Sequence, residues 1–272
     1  MVAQVKEIHI YPTKSCQGLA LDQSQAGDWG LEGDRLMMLV KPDGTFLTQR
    51  AYPKMGEVGL YVEGGDLVLS RAGESRRFPK MIHRQLGVKV WGDEVQADDL
   101  GDDIAHQLSQ WLGIALRVVA WNPAARRWAD RNFVDRDVPY GFADGFPYLI
   151  SNQQSLVDLN DRLQAKDHRP ISMTRFRPNI VIEGWEAYQE DRVSQIKIGN
   201  AVFELVKPCT RCRITTIDPD TMKPGPEPLK TLMEYRYHEE LRGVTFGQNA
   251  VLHHGSGTTI RVGDEVTILG TA

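Results

Sequence analysis

Five times the sequence sets two short runs of β-forming residues on either side of a tight, glycine-bearing break. Pro42-Asp43-Gly44 parts Leu36–Val40 from Thr45–Gln49. Gly64-Gly65-Asp66 parts Val58–Val62 from Leu67–Ser70, and Gly92-Asp93 parts Val88–Trp91 from Glu94–Ala97. Gly199-Asn200 divides Gln195–Ile198 from Ala201–Val206, and Gly263-Asp264 divides Thr259–Val262 from Glu265–Leu269. Glycine reaches the positive-φ backbone that tight hairpin turns require, so each break predicts two antiparallel neighbours. A chain punctuated this way is β-rich, and the uneven spacing of the breaks excludes a repeat array. Alternation over Val2–Tyr11 adds a strand that Pro12 closes, followed by a polar loop, Thr13–Gly18.

Helical periodicity is rarer. Asp102–Leu112 places Ile104, Leu108 and Trp111/Leu112 on one face. Asn152–Lys166 aligns Leu156, Leu159 and Leu163, with Ser151 or Asn152 as N-cap. Glu227–Tyr237 aligns Leu229, Leu232 and Met233, with Pro228 acceptable in the first turn. Trp121–Asp144 has little periodicity and many turn residues, as a linker or functional loop would. We therefore expect a β-rich N-terminal domain over residues 1–120 and a larger α+β domain over 121–272.

A chain of 272 residues, 41% hydrophobic and 25% charged, can bury ample core. The net charge of −4 argues against a reader of duplex nucleic acid. No basic stretch followed by an apolar one opens the chain, and no apolar run is long enough to span a bilayer, so a cytoplasmic setting without a membrane anchor is expected. Three cysteines are too few and too uneven for a disulfide framework in a chain this size.

Two of the three, Cys209 and Cys212, stand in Lys207-Pro-Cys-Thr-Arg-Cys-Arg-Ile-Thr-Thr-Ile-Asp-Pro-Asp220. Three chemistries compete for this pair. A zinc half-site needs two further ligands, and His253-His254 is the only close histidine pair. A redox dithiol should open a helix, whereas Arg213–Ile217 has β-like composition. A single thiolate bound to a transition metal is the third, with Arg211 and Arg213 favouring the ionised sulfur. Two buried cysteines of no special function are the plain alternative, and spacing alone does not decide.

The wider pattern narrows the choice. Lys207–Asp220, Arg175-Phe-Arg-Pro-Asn-Ile-Val-Ile182 and Tyr11-Pro-Thr-Lys-Ser-Cys-Gln-Gly18 together resemble the MOSC family. Gly33-Asp-Arg35, Phe46–Arg50, Ser155–Asn160 and Phe246-Gly-Gln248 extend the resemblance over nearly the whole chain. It is strongest to the branch that joins a MOSC-associated β-barrel to a MOSC domain, as in the amidoxime-reducing components and their bacterial relatives. The resemblance implies a β-rich α+β fold: an N-terminal β-barrel-like domain and a MOSC β-barrel with flanking helices. It implies a molybdenum–molybdopterin cofactor with Cys212 as the protein ligand to the metal and the catalytic residue, in keeping with thiolate preference for soft metals. Lys14, Ser15, Arg35, Ser151, Arg177, Thr210 and Arg211 match the family's cofactor contacts, and Asn179 could meet the pterin edge or the substrate. Guanidinium forks suit phosphate and carbonyl oxygens.

The activity implied is reduction of N-hydroxylated compounds, namely amidoximes, hydroxylamines and N-hydroxylated nucleobases. No flavin, haem or iron–sulfur motif is visible, so electrons are expected from a separate donor, a flavoprotein with a ferredoxin or a cytochrome b5-like protein. The alternative is a cofactor carrier or sulfur-handling module. Trp121–Trp128 with Arg126 and Arg127 is a candidate wall or docking loop, Phe246–Asn249 a candidate substrate-side segment, and His253-His254 reads as structural. One departure stands at Met222, where the family's Asp-Pro-Asp-Thr-Gly run has glycine, so the turn there is expected to open differently.

Overall fold

The computed structural model describes residues 2–271. Its backbone is a large nine-stranded sheet with three smaller sheets against it. Across the large sheet the strands run Val266–Thr271, Val193–Ile198, Ala201–Thr210, Gly243–His254, Tyr148–Asn152, Ile180–Glu183, Gln4–Ile10 and Leu19–Leu21, with Tyr237–His238 pairing onto Gly243–His254. Tyr148–Asn152 and Ile180–Glu183 run parallel, joined by the helix Gln153–Gln164. Ile180, Val181 and Ile182 are all fully buried, as a strand covered on both faces requires, whereas Val193–Ile198 and Ala201–Thr210 bury roughly alternate residues, Ile196 and Phe203 among them.

The first strand of the chain lies second from one edge of the large sheet. Gln4–Ile10 pairs with Ile180–Glu183 on one side and Leu19–Leu21 on the other, so residues of the first twenty complete a sheet built mostly by the C-terminal half. Beyond Ile10 the chain leaves that sheet and crosses to the four-stranded sheet of Met37–Val40, Arg117–Trp121, Asp93–Asp99 and Arg84–Val90. The crossing is fixed by backbone bonds from Lys14 N–H to Met37 O (2.8 Å) and from Gln17 N–H to Val58 O (2.8 Å). This crossing loop is Thr13–Gly18, and it lies between the two halves.

Four of the five glycine breaks join neighbouring strands, as expected. Gly59–Glu63 pairs with Asp66–Arg71, Arg84–Val90 with Asp93–Asp99, and Val193–Ile198 with Ala201–Thr210, while Val40 bridges to Phe46. The fifth does not. The chain turns at Gly263-Asp264, but Thr258–Arg261 pairs with Gln23–Gly27 and Val266–Thr271 with Val193–Ile198. The turn is instead clamped to the N-terminal strand, with Gly263 N–H on Val5 O and Val5 N–H on Asp264 O. Local turn chemistry fixes a reversal, not the partner chosen after it.

Two helices match their periodicity. Asp102–Leu112 has acidic residues in its first turn and left-handed Gly113 at its end, whose N–H reaches Ser109 O, both favourable to the helix dipole and its end carbonyls. Gln153–Gln164 is capped by the Asn152 side chain, which accepts from Gln154 N–H at 3.0 Å. The stretch Glu227–Tyr237 is corrected to a short helix, Leu229–Met233, because Tyr237–His238 is drawn into pairing with Gly243–Val244. Arg213–Thr216 is likewise a 3-10 turn rather than β-like, with Thr215 N–H and Oγ1 both donating to Cys212 O. No helix among the described residues is long and apolar enough to cross a membrane.

Candidate functional site

Strand Ala201–Thr210 ends beside the crossing loop, and the turn after it lifts Cys212 to the wall of a cleft of about 950 Å3. Lys14, Ser15, Arg35, Arg177, Asn179, Thr210, Arg211 and Cys212 all line that cleft. These residues come from four separate stretches of chain, brought together by the crossing loop and the adjoining strand ends. Ser151 does not join them. It is wholly buried within strand Tyr148–Asn152, beside Gly247, where an added Cβ would lie 2.6 Å from its hydroxyl. The cleft is reached instead by Tyr148 and Leu149 from that strand.

The charges are unbalanced. Lys14, Arg35, Arg177, Lys207 and Arg211 line the cleft against a single carboxylate, Asp144, in a chain whose net charge is −4. Arg35 carries its own counter-ion: it donates to Asp34 at 2.6 Å, and although burial opposes its charge, Asp34 raises its pKa above the usual value. Arg177 has none. It donates to the backbone oxygen of Cys16 at 2.8 Å, and burial pulls its pKa below the guanidinium norm. Arg211 donates to Cys209 Sγ at 2.8 Å and to Phe176 O, and its buried Nε has no partner. Half-buried cations without counter-ions among the described residues are costly, and together they form a site that attracts an anion.

Lys14 is 6% exposed and is paired to Asp144, with a further bond to Phe142 O at 2.7 Å. Asp144 stands at the mouth, 65% exposed, and also accepts from Trp91 Nε1 at 3.0 Å. The two partners shift in the same direction for different reasons. Burial lowers the Lys14 pKa despite the carboxylate. Burial pushes Asp144 up, but the charge and hydrogen bond of Lys14 outweigh it and hold the carboxyl well below its usual range.

Left-handed backbone is found at three cleft residues. Ser15, Arg35 and Arg177 all adopt left-handed φ values of 64°, 49° and 56°, a region that costs a non-glycine residue about 1–2 kcal/mol. Such strain is held by surrounding structure and gathers at ligand sites. Arg35 is fixed by N–H donation to Tyr11 O (2.9 Å) and by acceptance from Phe142 N–H (2.9 Å). The Tyr11 ring lies between the guanidinium groups, 4.6 Å from that of Arg35 and 4.1 Å from that of Arg177.

Asn179 holds this frame and still lines the cleft. Its Oδ1 accepts from Arg35 (3.2 Å) and from Leu149 N–H (3.1 Å), and its Nδ2 donates to His9 O (3.2 Å). Arg127 is also a brace and not a wall: it is 3% exposed and grips Gly141 O, Ala143 O and Asp93, fixing the loop that carries Asp144. Arg126 turns to Pro123 O and Ala125 O. Of Phe246–Asn249, Asn249 alone lines the cleft, while Phe246 stacks under Phe176 at 3.9 Å. His253 pairs with Glu204 at 2.8 Å, away from the cleft lining.

Among the described residues no three His, Cys, Asp or Glu side chains gather as a metal site. Any metal held at Cys212 therefore brings most of its own ligands. Cys16 is the contrasting thiol, fully buried, with its pKa pushed up to about 12 by burial. Asp144, Lys207 and Asn249 were not among the residues expected to touch the cofactor. Asp144 sits in no local pattern that names a ligand, whereas Lys207 opens the cysteine-bearing run itself.

A family model for the MOSC domain matches residues 137–267, and one for the MOSC N-terminal beta barrel domain matches residues 2–115. Among curated proteins, mitochondrial amidoxime-reducing component 1 of Mus musculus is 35% identical over 99% of this chain and 83% of its own length. The chain belongs to the MOSC family, in the branch of the amidoxime-reducing components. The Homo sapiens component 1 is 33% identical over 99% of this MOSC chain and 84% of its own. Component 2 of Bos taurus is 32% identical over 86% and 73%. The cleft of this MOSC protein lies where its two matched regions meet: Lys14 and Arg35 come from the first, Arg177 and Cys212 from the second.

Proposed function

We propose that this protein is a molybdenum-cofactor-dependent reductase of N-hydroxylated compounds. The observation that carries the reading is the thiol of Cys212 on a cleft wall beside two guanidinium groups, Arg177 and Arg211, that lack counter-ions. Membership of a family whose relatives are named amidoxime-reducing components supports it. The donor set fits an anionic, polar cofactor: two soft sulfurs, Cys209 and Cys212, five positive side chains and an orphaned buried Arg211 Nε.

In this reading Cys212 Sγ is the protein ligand to the metal. Arg177 and Arg211 hold the anionic and carbonyl oxygens of the cofactor, and Lys14, Arg35 and the left-handed turn at Ser15 complete the cradle. Thr210 closes the strand end beside them. When bound, the cofactor supplies two-electron chemistry at the N–O bond. An amidoxime plus two electrons and two protons gives an amidine and water. The protein orients the reactants by fixing each guanidinium through Asn179, Asp34 and the backbone. Electrons come from a separate donor protein, a flavoprotein with a ferredoxin or a cytochrome b5-like protein.

The test is molybdenum content and benzamidoxime reduction by viologen-reduced protein, for wild type and Cys212→Ser. About one molybdenum per chain, as a single-cofactor site requires, with turnover lost in the variant, supports the reading. Bound molybdenum without turnover on several N–O substrates supports a cofactor carrier instead. Folded protein without molybdenum, made in a host that supplies the cofactor, rejects both.

A further inference from the structure

Four of the five cations in the cleft, Lys14, Arg35, Arg177 and Arg211, cradle the cofactor of the proposed reductase. Lys207 is left over. An irregular strand pairing puts it there. Strand Ala201–Thr210 sends Phe203 and Leu205 into the core, and strict alternation would send the residue at 207 after them. The pairing with Gly243–His254 slips at that point: Leu205 lies opposite Ala250, but Lys207 lies opposite Asn249. Val206 is thereby an extra residue, and Lys207 is turned to the face that Asn249 shares. Both Lys207 and Asn249 line the cleft, as does Cys212. Slips of this kind re-aim a side chain and recur next to active sites.

The Lys207 ammonium is held by rings and not by charge. It lies 4.5 Å from the centre of the Phe133 ring and 6.0 Å from that of Phe146. Among the described residues it meets no carboxylate and no hydrogen-bond acceptor. The one carboxylate lining the cleft, Asp144, is taken by Lys14. Arg35, by contrast, has Asp34, and Arg211 has Cys209 Sγ and Phe176 O. A ring face attracts a cation but accepts few of its protons, so the N–H donors of Lys207 stay open to a further partner. Phe146 also lines the cleft and gives an apolar wall beside the ammonium.

We propose that Lys207 is a specificity-determining residue of this cleft: it holds a carboxylate carried by the organic part of the substrate, so that the cleft prefers an acidic substrate to a neutral one of the same shape. Phe146 covers the apolar part of such a molecule, and the substrate supplies the counter-ion that the chain does not. The inference rests on the reductase reading for the reason an organic substrate enters. The placement of Lys207 stands without it. The rival role for the ammonium is a contact to an anionic group of the cofactor itself, and cofactor content separates the two.

The probes are benzamidoxime and 4-carboxybenzamidoxime, which differ by one charged group. Each is compared in wild type, in Lys207→Met, which keeps the stem and removes the charge, and in Lys207→Arg, which restores a cation. Titration calorimetry on cofactor-loaded protein reads the ratio of the two dissociation constants, and turnover with reduced viologen reads the ratio of the two KM values. Wild type should bind the carboxylated probe the more tightly. Lys207→Met should lose roughly tenfold of that preference, the scale of one charge-assisted hydrogen bond, and lose it in KM rather than kcat. Lys207→Arg should recover most of it, with equal molybdenum content in all three proteins. A wild type without the preference, or a preference unchanged in Lys207→Met, overturns the proposal. So does a fall in molybdenum content in Lys207→Met, which assigns the ammonium to the cofactor. A shifted binding ratio without turnover on either probe keeps the carboxylate site and rejects the reductase, whereas Cys212-dependent turnover with a fixed ratio does the reverse.

Discussion

The hairpin Gly59–Arg71 and the cleft both need left-handed backbone, and they fill it differently. In the hairpin, the positive φ positions at 64 and 65 are glycines with nothing within 4 Å of an added Cβ. In the cleft, the same region is held by Ser15, Arg35 and Arg177, with Trp91 bonded to the mouth. The hairpin chooses the residue that makes the turn easy. The cleft keeps side chains where glycine would be easier. The difference holds between these two places and is not a rule for the described chain, since Ala72, Asp167, Tyr188 and Arg242 are left-handed elsewhere.

The largest expected effect comes from turning one cleft position into a hairpin-like one. Arg177→Gly removes an uncompensated guanidinium and its stacking on Tyr11, but also its strain. Stability should change by no more than about 1 kcal/mol in denaturant titration, because relief and loss offset. Bound molybdenum should fall by at least roughly tenfold, on the scale of losing a supporting contact to a metal group. A large loss of stability with full cofactor content would break the comparison.

Asp144→Asn tests the paired part of the cleft. It removes the charge opposite buried Lys14 while leaving an amide oxygen that can still accept from it, and should cost about 1–2 kcal/mol, discounted because Asp144 is mostly exposed. The Asp144 carboxyl is held below its usual range, so its contribution is present above the ordinary carboxylate pKa and is lost as pH falls. The stability gap between wild type and Asp144→Asn should therefore be widest above about pH 5 and close in more acidic solution.

Glu190 shifts the other way. Burial, then the charge of Asp191, raises its pKa to about 7, against hydrogen bonds from Ser155 and Asn152 that pull it down. A raised carboxyl is penalised once ionised, so the folded protein should lose stability as pH rises from the ordinary carboxylate range toward and past 7. Glu190→Gln should be more stable than wild type in alkaline melts and show no such gain near pH 4. An unchanged pH profile would show that Glu190 is ionised at no cost.

Gly65→Ala should have the smallest effect. With open space around it, the change costs only left-handed strain, about 1 kcal/mol, and lowers Tm by roughly 2–4 °C. Molybdenum content should not move. A loss of cofactor would show that the outer hairpin and the cleft are coupled.

Much of the frame was legible because glycine breaks, alternation and helical spacing are local signals. The hairpins at Gly64, Gly92 and Gly199 and the helix Asp102–Leu112 were readable this way. Where partners are chosen over long distance, local signals failed: Gly263-Asp264 reverses the chain but sends its two strands to different neighbours. The Glu227–Tyr237 pattern was cut short by strand pairing at Tyr237. Lys14, Arg35, Arg177 and Cys212 were joined by family resemblance, since no spacing brings together residues so far apart in the chain. Ser151 lay on the right strand but two residues too deep, and Asp144 sat in a loop with no pattern at all. Asn179 lines the cleft and also braces the frame through three bonds, two roles that residue type alone does not separate.

The central claim is that one sulfur of the Cys209/Cys212 pair, on a wall of unpaired guanidinium groups, holds the metal. X-ray absorption at the molybdenum edge on wild type, Cys209→Ser and Cys212→Ser tests it most directly. The expected result is one fewer sulfur neighbour in Cys212→Ser, with Cys209→Ser unchanged from wild type. An unchanged sulfur shell in Cys212→Ser, or its loss in Cys209→Ser, would contradict the account.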